Sequence, residues 1–195
     1  MANTSKRNRL DIIDKSTNLY WEKGFYGTSM RNLQEVIDMR PGSIYAAFGS
    51  KEGLFKEALQ HYTQQGIEQL NKLKLSTGSP LKGLKSFVDA TVITSQTDAP
   101  SGMCLLAKTI SELTKDNAEL LAETKRLLLQ VEKAFIITLT EAQVAGEIDK
   151  EKDTTKLARY LQVQIMGLRI YAGINHDKQT IADMVNSVFL TFEQD

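Results

Sequence analysis

Residues 28–52 read TSMRNLQEVIDMRPGSIYAAFGSKE, and this stretch decides how the rest of the chain is interpreted. Apolar residues recur at helical spacing on both sides of a four-residue link at 38–41, which predicts two short helices with a tight turn. Thr28 or Ser29 is suited to cap the first helix, and Pro41 to begin the second. The arrangement predicts a helix-turn-helix.

The two short helices are each expected to have one buried face. The residues predicted to face inward are Leu33, Val36 and Ile37 in the first helix and Ile44, Ala47 and Phe48 in the second. The outer face of the second helix then carries Arg40, Gly42, Ser43 and Tyr45, a small and polar surface. Such a face allows a helix to enter the major groove of DNA closely.

Several side chains near the two helices suit contacts with DNA. Arg40 has donors for guanine or phosphate, the Tyr45 and Thr28 hydroxyls suit phosphate oxygens, and Lys51 lies in the first turn of the next helix. Basic residues of a polar N-terminal arm are also placed to reach phosphates; these are Lys6, Arg7 and Arg9. The alternative is a helical corner of an unrelated bundle, because short helices with tight links are common.

Residues 12–55 resemble the DNA-binding head of the TetR/AcrR family of regulators. The motifs that carry the resemblance, in chain order, are Tyr20-Trp21-Glu22-Lys23-Gly24-Phe25, Thr28-Ser29, Gly42-Ser43-Ile44-Tyr45, Phe48, Ser50-Lys51-Glu52 and Leu54-Phe55. The resemblance implies a dimer that binds palindromic double-stranded DNA and a helical body that binds a small-molecule effector. Repression is the usual outcome in the family.

By this resemblance, a defined set of residues matches positions that touch DNA. The set is Thr28, Ser29, Arg40, Pro41, Ser43, Tyr45 and Lys51, and Arg31 of the preceding helix is added for base contacts. The chain departs from the family pattern at Asp38, where the turn usually has glycine, although aspartate tolerates unusual backbone angles. It also departs at Gln34, Val36 and Ala46-Ala47, so base recognition is expected to depend on Arg40, Ser43 and Arg31.

Composition and charge are those of an ordinary globular protein. The chain has 195 residues, of which 42% are hydrophobic and 25% charged, with a net charge of zero. Residues 1–60 carry nine Lys and Arg against seven Asp and Glu, and the remainder carries 15 against 17. No apolar run is long enough for a membrane span and no secretory signal is evident, so a cytoplasmic protein is expected. One cysteine and two histidines predict no disulfide, metal site or cofactor.

The whole chain is predicted to be all-α, with nine helices. Three form a helix-turn-helix head at 1–50 and six form a ligand-binding and dimerisation body at 51–195. The predicted helices span 7–23, 28–37, 41–48, 50–73, 79–96, 103–113, 116–146, 154–172 and 177–192.

The last two helices, about 154–192, are predicted to form a homodimer. Their apolar stripes are Leu157, Tyr160, Leu161, Gln164, Ile165, Leu168 and Tyr171 on one helix, and Ile181, Met184, Val185, Val188, Phe189 and Phe192 on the other. Packing within one subunit is the alternative, and part of each stripe must serve it. A twofold partner is expected because helix-turn-helix heads read palindromes in pairs.

The middle helices are predicted to enclose the effector. Candidate lining residues are Phe87, Thr91, Met103, Cys104, Ala107, Phe135, Met166 and Arg169, although most apolar residues at helical spacing are plain core. Arg169 is a charge among apolar neighbours. It is expected to face solvent at the helix edge or to pair with an acid or an anionic effector.

Cys104 is predicted to lie in the first turn of a helix, with Lys108 one turn on. A helix N-terminus and a nearby cation favour a thiolate, which would make the residue a sensor of oxidants or electrophiles. The more frequent role of a free cysteine is that of a small buried apolar residue. Operator release by an effector or by modification of Cys104 would act through the helix at 51–73, which joins head and body.

Two rival functions remain open at this point. One is a thiol-dependent enzyme that pairs Cys104 with His61 or His176, although nothing in the sequence orients either histidine. The other is a helical carrier or scaffold without DNA binding. Neither has a motif comparable to that of residues 28–52, so an enzyme is not expected.

Overall fold

The computed structural model describes residues 2–94 and 99–192, with side chains from residue 9 onward. Its described part contains nine α-helices and no strand, as the sequence predicts. Their bounds are α1 Ala2–Gly27, α2 Met30–Ile37, α3 Pro41–Phe48, α4 Lys51–Thr77, α5 Pro80–Asp89, α6 Leu105–Glu112, α7 Ala118–Val144, α8 Thr154–Ala172 and α9 Lys178–Leu190.

The helices form two compact units that interleave along the chain. The first unit comprises Met1–Gln64 and Cys104–Leu128, and the second comprises Gln65–Met103 and Leu129–Asp195. Helices α4 and α7 contribute residues to both units. The division predicted at residue 50 remains a prediction, because it concerns the roles of the two parts of the chain rather than their compactness.

The first unit packs aromatic residues from α1 and α4 at its centre. Tyr20 and Phe55 are fully buried with ring centroids 4.6 Å apart, and Phe25 lies 5.0 Å from Phe55. The Tyr20 hydroxyl donates to the Lys51 carbonyl at 3.1 Å, which satisfies its polar end. Helices α2 and α3 add Leu33 and Ile44, both fully buried.

The second unit has its own apolar core, built from α5, α7, α8 and α9. Leu84 and Val88 of α5 are fully buried and belong to the same cluster as Leu139 of α7. From α8 and α9 the cluster takes Ala158, Leu161, Ile165, Leu168, Ala172, Ile181, Val185, Val188 and Phe189. Most of the residues predicted for the dimer stripes therefore lie inside the subunit, because the two helices must cover α5 and α7 before they meet any partner.

Helix ends follow the expected capping chemistry. The Ser29 and Asn32 side chains form a reciprocal capping box at the start of α2, and Pro41 occupies the first turn of α3. Asp153 and Asp177 cap α8 and α9, each accepting from two backbone N–H groups. The pKa of the Asp177 carboxyl lies below its ordinary value. The hydrogen bond from the Thr180 hydroxyl is the largest cause, and the bonds from those backbone N–H groups add to it.

Several helix bounds differ from the predicted ones. Helix α5 ends at Asp89 and is followed by a π-helical turn, Ala90–Thr94, whereas the sequence predicts an α-helix to residue 96. Helix α6 begins at Leu105, two residues later than predicted, and a 3-10 turn, Lys115–Asn117, precedes α7. Helix α4 extends to Thr77, because Gly78, at φ +64°, ends the helix. The polar residues just before Gly78, where the sequence predicts no helix, are helical.

Candidate nucleic-acid interface

Helix α3 presents the predicted outer face to solvent. Ile44 is fully buried and Phe48 is 8% exposed, whereas Arg40, Pro41, Gly42 and Ser43 are all exposed and Tyr45 is 50% exposed. The helix is thus anchored by two apolar side chains on one side. Its other side is free of bulky groups apart from Tyr45, as entry into a groove requires.

The corner between α2 and α3 depends on backbone geometry at Asp38. This residue ends α2 in the left-handed region, at φ 51° and ψ 47°. The prediction that aspartate can occupy this turn is confirmed. At the other end of α3, the N–H of Gly49, at φ +76°, donates to the Tyr45 carbonyl at 2.8 Å and ends the helix.

Two of the six residues predicted to face inward do not. Val36 is 40% exposed and Ala47 is exposed, while the other four are buried. Each of these two helices buries a single row of residues four positions apart, Leu33 with Ile37 in α2 and Ile44 with Phe48 in α3. Val36 and Ala47 flank those rows and face outward.

The Thr28 hydroxyl differs from expectation. The side chain is fully buried and donates to the Gly24 carbonyl at 2.6 Å, so it does not offer its hydroxyl to a phosphate. Ser29 is exposed, but its hydroxyl bonds Asn32 in the capping box. Both residues shape the approach to α2, and the part of Asn32 in this capping box was not predicted. A serine followed three residues later by an amide was the available signal.

Arg9, expected in an arm that reaches phosphates, is held by the protein instead. Its guanidinium donates to Glu57 at 2.6 Å and to the Ala47 carbonyl at 3.2 Å, and it lies 4.3 Å from the centroid of the Phe48 ring. It therefore stabilises the end of α3. The side chains of Lys6 and Arg7 lie outside the described residues.

Lys51 and Arg31 are the remaining basic residues of the predicted interface. The Lys51 ammonium lies 4.3 Å from the centroid of the Phe25 ring, and partial burial lowers the pKa of Lys51, opposed by the carboxylates of Glu52 and Glu112. Arg31 is highly exposed and bonds Glu35 at 3.0 Å, one turn along α2. An exposed pair of this kind is weak, so Arg31 can exchange its partner for DNA at little cost.

The predicted effector residues fall in both units. Phe87 and Phe135 of the second unit are buried with ring centroids 6.0 Å apart, and Thr91, Met103 and Met166 of the same unit are half-buried. Cys104 and Ala107 belong to the first unit and are also half-buried. The role of these residues in binding an effector stays a prediction.

Arg169 is not at a solvent-facing edge. Its side chain is buried, with 3% of the residue exposed, and it donates to the carbonyls of Ser101, Gly102 and Met103 at 3.0–3.4 Å. Backbone carbonyls are thus among the partners of the guanidinium. The expectation of an exposed Arg169 is therefore wrong, since periodicity alone does not reveal a loop that folds over the helix.

Cys104 is the N-cap residue of α6 rather than a residue of its first turn, and it is half-buried. Lys108, expected one turn from the thiol, directs its ammonium to the carbonyls of Trp21 and Glu22 at 3.0 and 2.7 Å. The cation is thus engaged at the end of α1. His61, a residue of the rival enzyme hypothesis, lies 3.3 Å from Asp14.

An exposed apolar set remains on the last two helices. On α8 and just after it, exposed apolar residues recur at helical spacing, and α9 adds two more; the set is Tyr160, Val163, Ile170, Tyr171, Ile174, Met184 and Leu190. Three of them, Tyr160, Tyr171 and Met184, belong to the predicted stripes. The other four residues lie on the outer side of the helices. The predicted stripes did not include them, because those stripes were centred on the row that is buried in the subunit.

Neither a membrane-spanning helix nor a metal-binding cluster is found among the described residues. None of the helices there combines the length and apolarity that a bilayer crossing demands. Nor do the described histidine, cysteine, aspartate and glutamate residues gather into a group of three able to hold a metal ion.

Comparisons with known proteins match both parts of the chain. Residues 12–58 match the bacterial regulatory proteins of the tetR family, and residues 80–188 match the tetracyclin repressor-like C-terminal domain. The transcriptional repressor ComR of Escherichia coli K12 is 30% identical over 164 residues, which cover 82% of this chain and 77% of ComR.

Solved structures share the fold over nearly the whole chain. A cysteine mutant of the TetR family regulator CifR, complexed with 26-base-pair operator DNA, aligns with a TM-score of 0.81 at 24% identity, covering 92% of this chain and 94% of that one. The reduced form of Escherichia coli NemR aligns with a TM-score of 0.78 at 17% identity, covering 93% and 95%.

Proposed function

Because this chain belongs to the TetR family of bacterial regulatory proteins, we propose that it is a transcription regulator that binds a palindromic DNA operator. The exposed outer face of α3 is the observation that carries the proposal. Arg40, Ser43 and Tyr45 are available on that face, and Ile44 and Phe48 hold the helix from behind. A regulator of bacterial genes acts in the cytoplasm, where the DNA is.

The DNA-contacting residues divide by chemistry. Arg40 supports base recognition, because a guanidinium can bond guanine in a bidentate manner. Ser43 adds a hydroxyl on a short side chain, and Arg31 adds a guanidinium on a long, flexible one. Tyr45 and Lys51 suit phosphate contacts, which fix the position of the protein without reading sequence. Thr28, Ser29 and Pro41 act on the DNA through the shape of the corner, since the first two hydroxyls bond the protein itself.

A homodimer through residues 154–192 completes the proposal. The exposed apolar set of α8 and α9 is the surface that supports it, because removing large apolar side chains from water when a partner covers them is favourable. The set supports a twofold contact, in which the same surface of each protomer meets its copy. Two α3 helices then address the two half-sites of one operator.

We further propose that the protein is a repressor released by a small-molecule effector. The relative ComR is named a repressor, and the aromatic pair Phe87–Phe135 lies in the apolar core of the second unit, where it suits an apolar ligand. Thr91, Met103 and Met166 lie in the same unit, and Arg169 orders the backbone at 101–103. Thermal-shift screening of small metabolites tests this part, because a specific ligand raises the melting temperature by mass action.

Modification of Cys104 is the second proposed release signal. The thiol is the single one in the chain and is half-buried at the start of α6, so a small reagent has partial access. Intact-mass measurement after mild oxidant or N-ethylmaleimide tests it. An unmodified thiol in the folded protein under conditions that modify the unfolded chain would exclude this signal and leave the effector proposal intact.

A DNA-binding experiment tests the central proposal. A labelled fragment from upstream of the protein's own gene is titrated with the full chain and followed by fluorescence anisotropy at several salt concentrations. We expect binding that weakens steeply as salt rises, because bound phosphates release counterions, and weaker binding to an unrelated fragment of equal length. No salt-sensitive binding to either fragment would favour a helical carrier instead. Turnover that is lost in Cys104→Ala would favour the thiol enzyme.

A further inference from the structure

Helix α1 is interrupted at Gly24, close to where the chain turns toward α2. Gly24 has φ +77° and ψ 177°, so the helix breaks there and resumes for one short turn to Gly27. A break of this kind leaves carbonyls on one side and N–H groups on the other without partners in their own helix. The carbonyl side carries a partial negative charge and the N–H side a partial positive one.

Helix α6 supplies a partner of the matching charge to each side. The Lys108 ammonium donates to the carbonyls of Trp21 and Glu22 at 3.0 and 2.7 Å. The Glu112 carboxylate, one turn along α6, accepts from the N–H groups of Phe25 and Tyr26 at 2.9 and 2.7 Å. A cation therefore caps the end of the first segment and an anion caps the start of the second, and we call these four bonds the α6 clamp.

The space at Gly24 fits the carboxylate. A Cβ atom added at this glycine would lie 2.5 Å from Oε2 and 2.8 Å from Oε1 of Glu112, closer than real Cβ atoms come to any neighbour. The positive φ angle independently disfavours any other residue. The lack of a side chain at Gly24 therefore leaves the space that the Glu112 carboxylate occupies. Glu112 lies 87 positions after Phe25, whose N–H it binds.

The clamp lies directly before the DNA-reading segment. Phe25 and Tyr26 lead through Thr28, whose hydroxyl bonds the Gly24 carbonyl, to Ser29 at the start of α2. The direction in which the chain leaves the break therefore sets the direction of the corner that follows. A break without fixed partners would sample several directions, and only one fraction of molecules would present α3 correctly.

We propose that Lys108 and Glu112 are positioning residues for DNA binding, which hold the break in α1 in the geometry that orients α2 and α3. The inference rests on the proposed DNA-binding function. It extends that function to α6, a helix that carries none of the predicted DNA contacts. The clamp lies entirely within the first unit, so it does not depend on the arrangement of the two units.

Glu112→Gln is the decisive variant, because a loss of charge and a loss of positioning predict opposite changes in DNA affinity. Removal of a negative charge favours binding to the phosphate backbone, so an effect of charge alone would raise affinity. A glutamine offers one acceptor oxygen and turns an amide N–H₂ toward the second N–H donor, so the clamp opens. We expect affinity for the DNA fragment to fall by about five- to twentyfold, as pre-organisation is lost.

Two further variants and two controls complete the set. Glu112→Asp keeps the charge but shortens the side chain, so it should lower affinity by a smaller factor. Lys108→Met should lower affinity too, and it is compared with Lys125→Met, an exposed lysine of the same unit. Glu119→Gln, also exposed in that unit, makes the same charge change as Glu112→Gln and should leave affinity within about twofold.

Amide hydrogen exchange of the free full-length protein supplies a readout independent of DNA. The N–H groups of Phe25 and Tyr26 should exchange at least about tenfold faster in Glu112→Gln, while the core amides of α4 keep their rates. Unchanged core rates also show that the variant is folded. Faster exchange together with weaker DNA binding supports the inference.

Two results would overturn the inference, and they differ from each other. If the unaltered protein binds the fragment and both Glu112→Gln and Glu112→Asp bind it equally well or better, the clamp has no positioning role. If the unaltered protein binds no DNA at any salt concentration, the proposed function fails and the inference fails with it.

Discussion

Tyr45 is the largest side chain on the outer face of α3, with half of its surface exposed. Its hydroxyl suits a phosphate oxygen, and phosphate contacts carry no sequence information. We expect Tyr45→Ala to raise the dissociation constant about tenfold for operator and unrelated DNA alike. Fluorescence anisotropy measures both values. Tyr45→Phe keeps the ring and should reproduce most of the loss, and a selective loss on the operator alone would contradict the phosphate role.

Arg40 has a different predicted effect, because a guanidinium can read guanine. Arg40→Ala should weaken operator binding by about 1–3 kcal/mol and reduce the ratio of operator to unrelated DNA affinity. Lys125→Ala controls for the loss of one positive charge, since Lys125 is an exposed lysine of the same unit on α7. If Arg40→Ala leaves the affinity ratio unchanged, the residue binds phosphate only.

Asp38 allows a stability test of the turn that separates α2 and α3. At φ 51° an L-residue with a Cβ atom is strained, and glycine is not. Asp38→Gly and Asp38→Ala remove the same charge, yet the alanine variant should be less stable by about 1 kcal/mol, the reverse of their order within a helix. Urea unfolding followed by circular dichroism measures the difference. Equal midpoints, or a more stable alanine variant, would contradict the strain.

Individual residues were predictable where chemistry is local. Asp38 in the turn follows from the tolerance of aspartate for left-handed angles, and the sequence neighbours of Ile44 suffice to bury it. Thr28 and Arg169 were not predictable in this way. The Thr28 hydroxyl bonds a carbonyl only four residues earlier, but the burial that keeps it from DNA depends on the fold. Arg169 reaches a carbonyl 67 positions away, which no local pattern reveals.

At the scale of helices, number and order follow from periodicity and caps, while the irregular ends do not. The Ala90–Thr94 turn contains four consecutive β-branched residues within a longer helical pattern, and that pattern does not distinguish α- from π-helix. The break in α1 is predictable in part, since Gly24 marks it. The short turn that follows it depends on Glu112, whose distance along the chain hides the contact from any local pattern.

The pair of α4 and α7 in the first unit gives a prediction for acid stability. Glu123 accepts from Gln60 of α4 at 2.6 Å and from two nitrogens of Arg126 at 2.8 Å. The bond from Arg126 is the main cause that lowers the pKa of Glu123 from 4.5 to about 2. A lowered folded-state pKa contributes stability that is complete above the unfolded-state value and disappears as pH falls toward the folded-state value.

Glu123→Gln should therefore be less stable than the unaltered protein at pH 7, by an amount that stays constant down to about pH 5 and largely disappears near pH 2. Urea unfolding at several pH values measures the difference between the two proteins. Glu119→Gln controls for the loss of one negative charge at an exposed site of α7. A difference that persists unchanged at pH 2 would show that the carboxylate bonds are not its source.

At the scale of the whole molecule, the family and the all-α architecture could be predicted from residues 12–55 and helical periodicity. The interleaved units could not, because Cys104–Leu128 joins the first unit through contacts with α1 and α4 that are far apart in sequence. The surface proposed for the partner was predictable only in part. An amphipathic stripe shows that a helix has an apolar side, but the core of the subunit takes that side first, and Val163 and Ile170 lie beyond it.

Val163 tests the proposed dimer because it lies on the exposed side of α8, with 65% of its surface accessible. In a twofold interface, Val163→Glu places a carboxylate on each protomer within the same covered surface, where neither has a prepared partner. We expect the dimer dissociation constant to rise at least about a hundredfold, measured by sedimentation velocity, while circular dichroism reports unchanged helicity.

Val144→Glu is the matched control, since Val144 is 86% exposed on α7 and lies outside the exposed apolar set of α8 and α9. The control should remain dimeric and bind the DNA fragment as tightly as the unaltered protein, apart from a small effect of the added charge. The Val163→Glu monomer should bind far more weakly, because each half-site is then held by one α3 helix without the aid of the other. A Val163→Glu protein that remains dimeric would place the interface elsewhere, and a monomer that binds DNA at full strength would separate dimerisation from operator recognition.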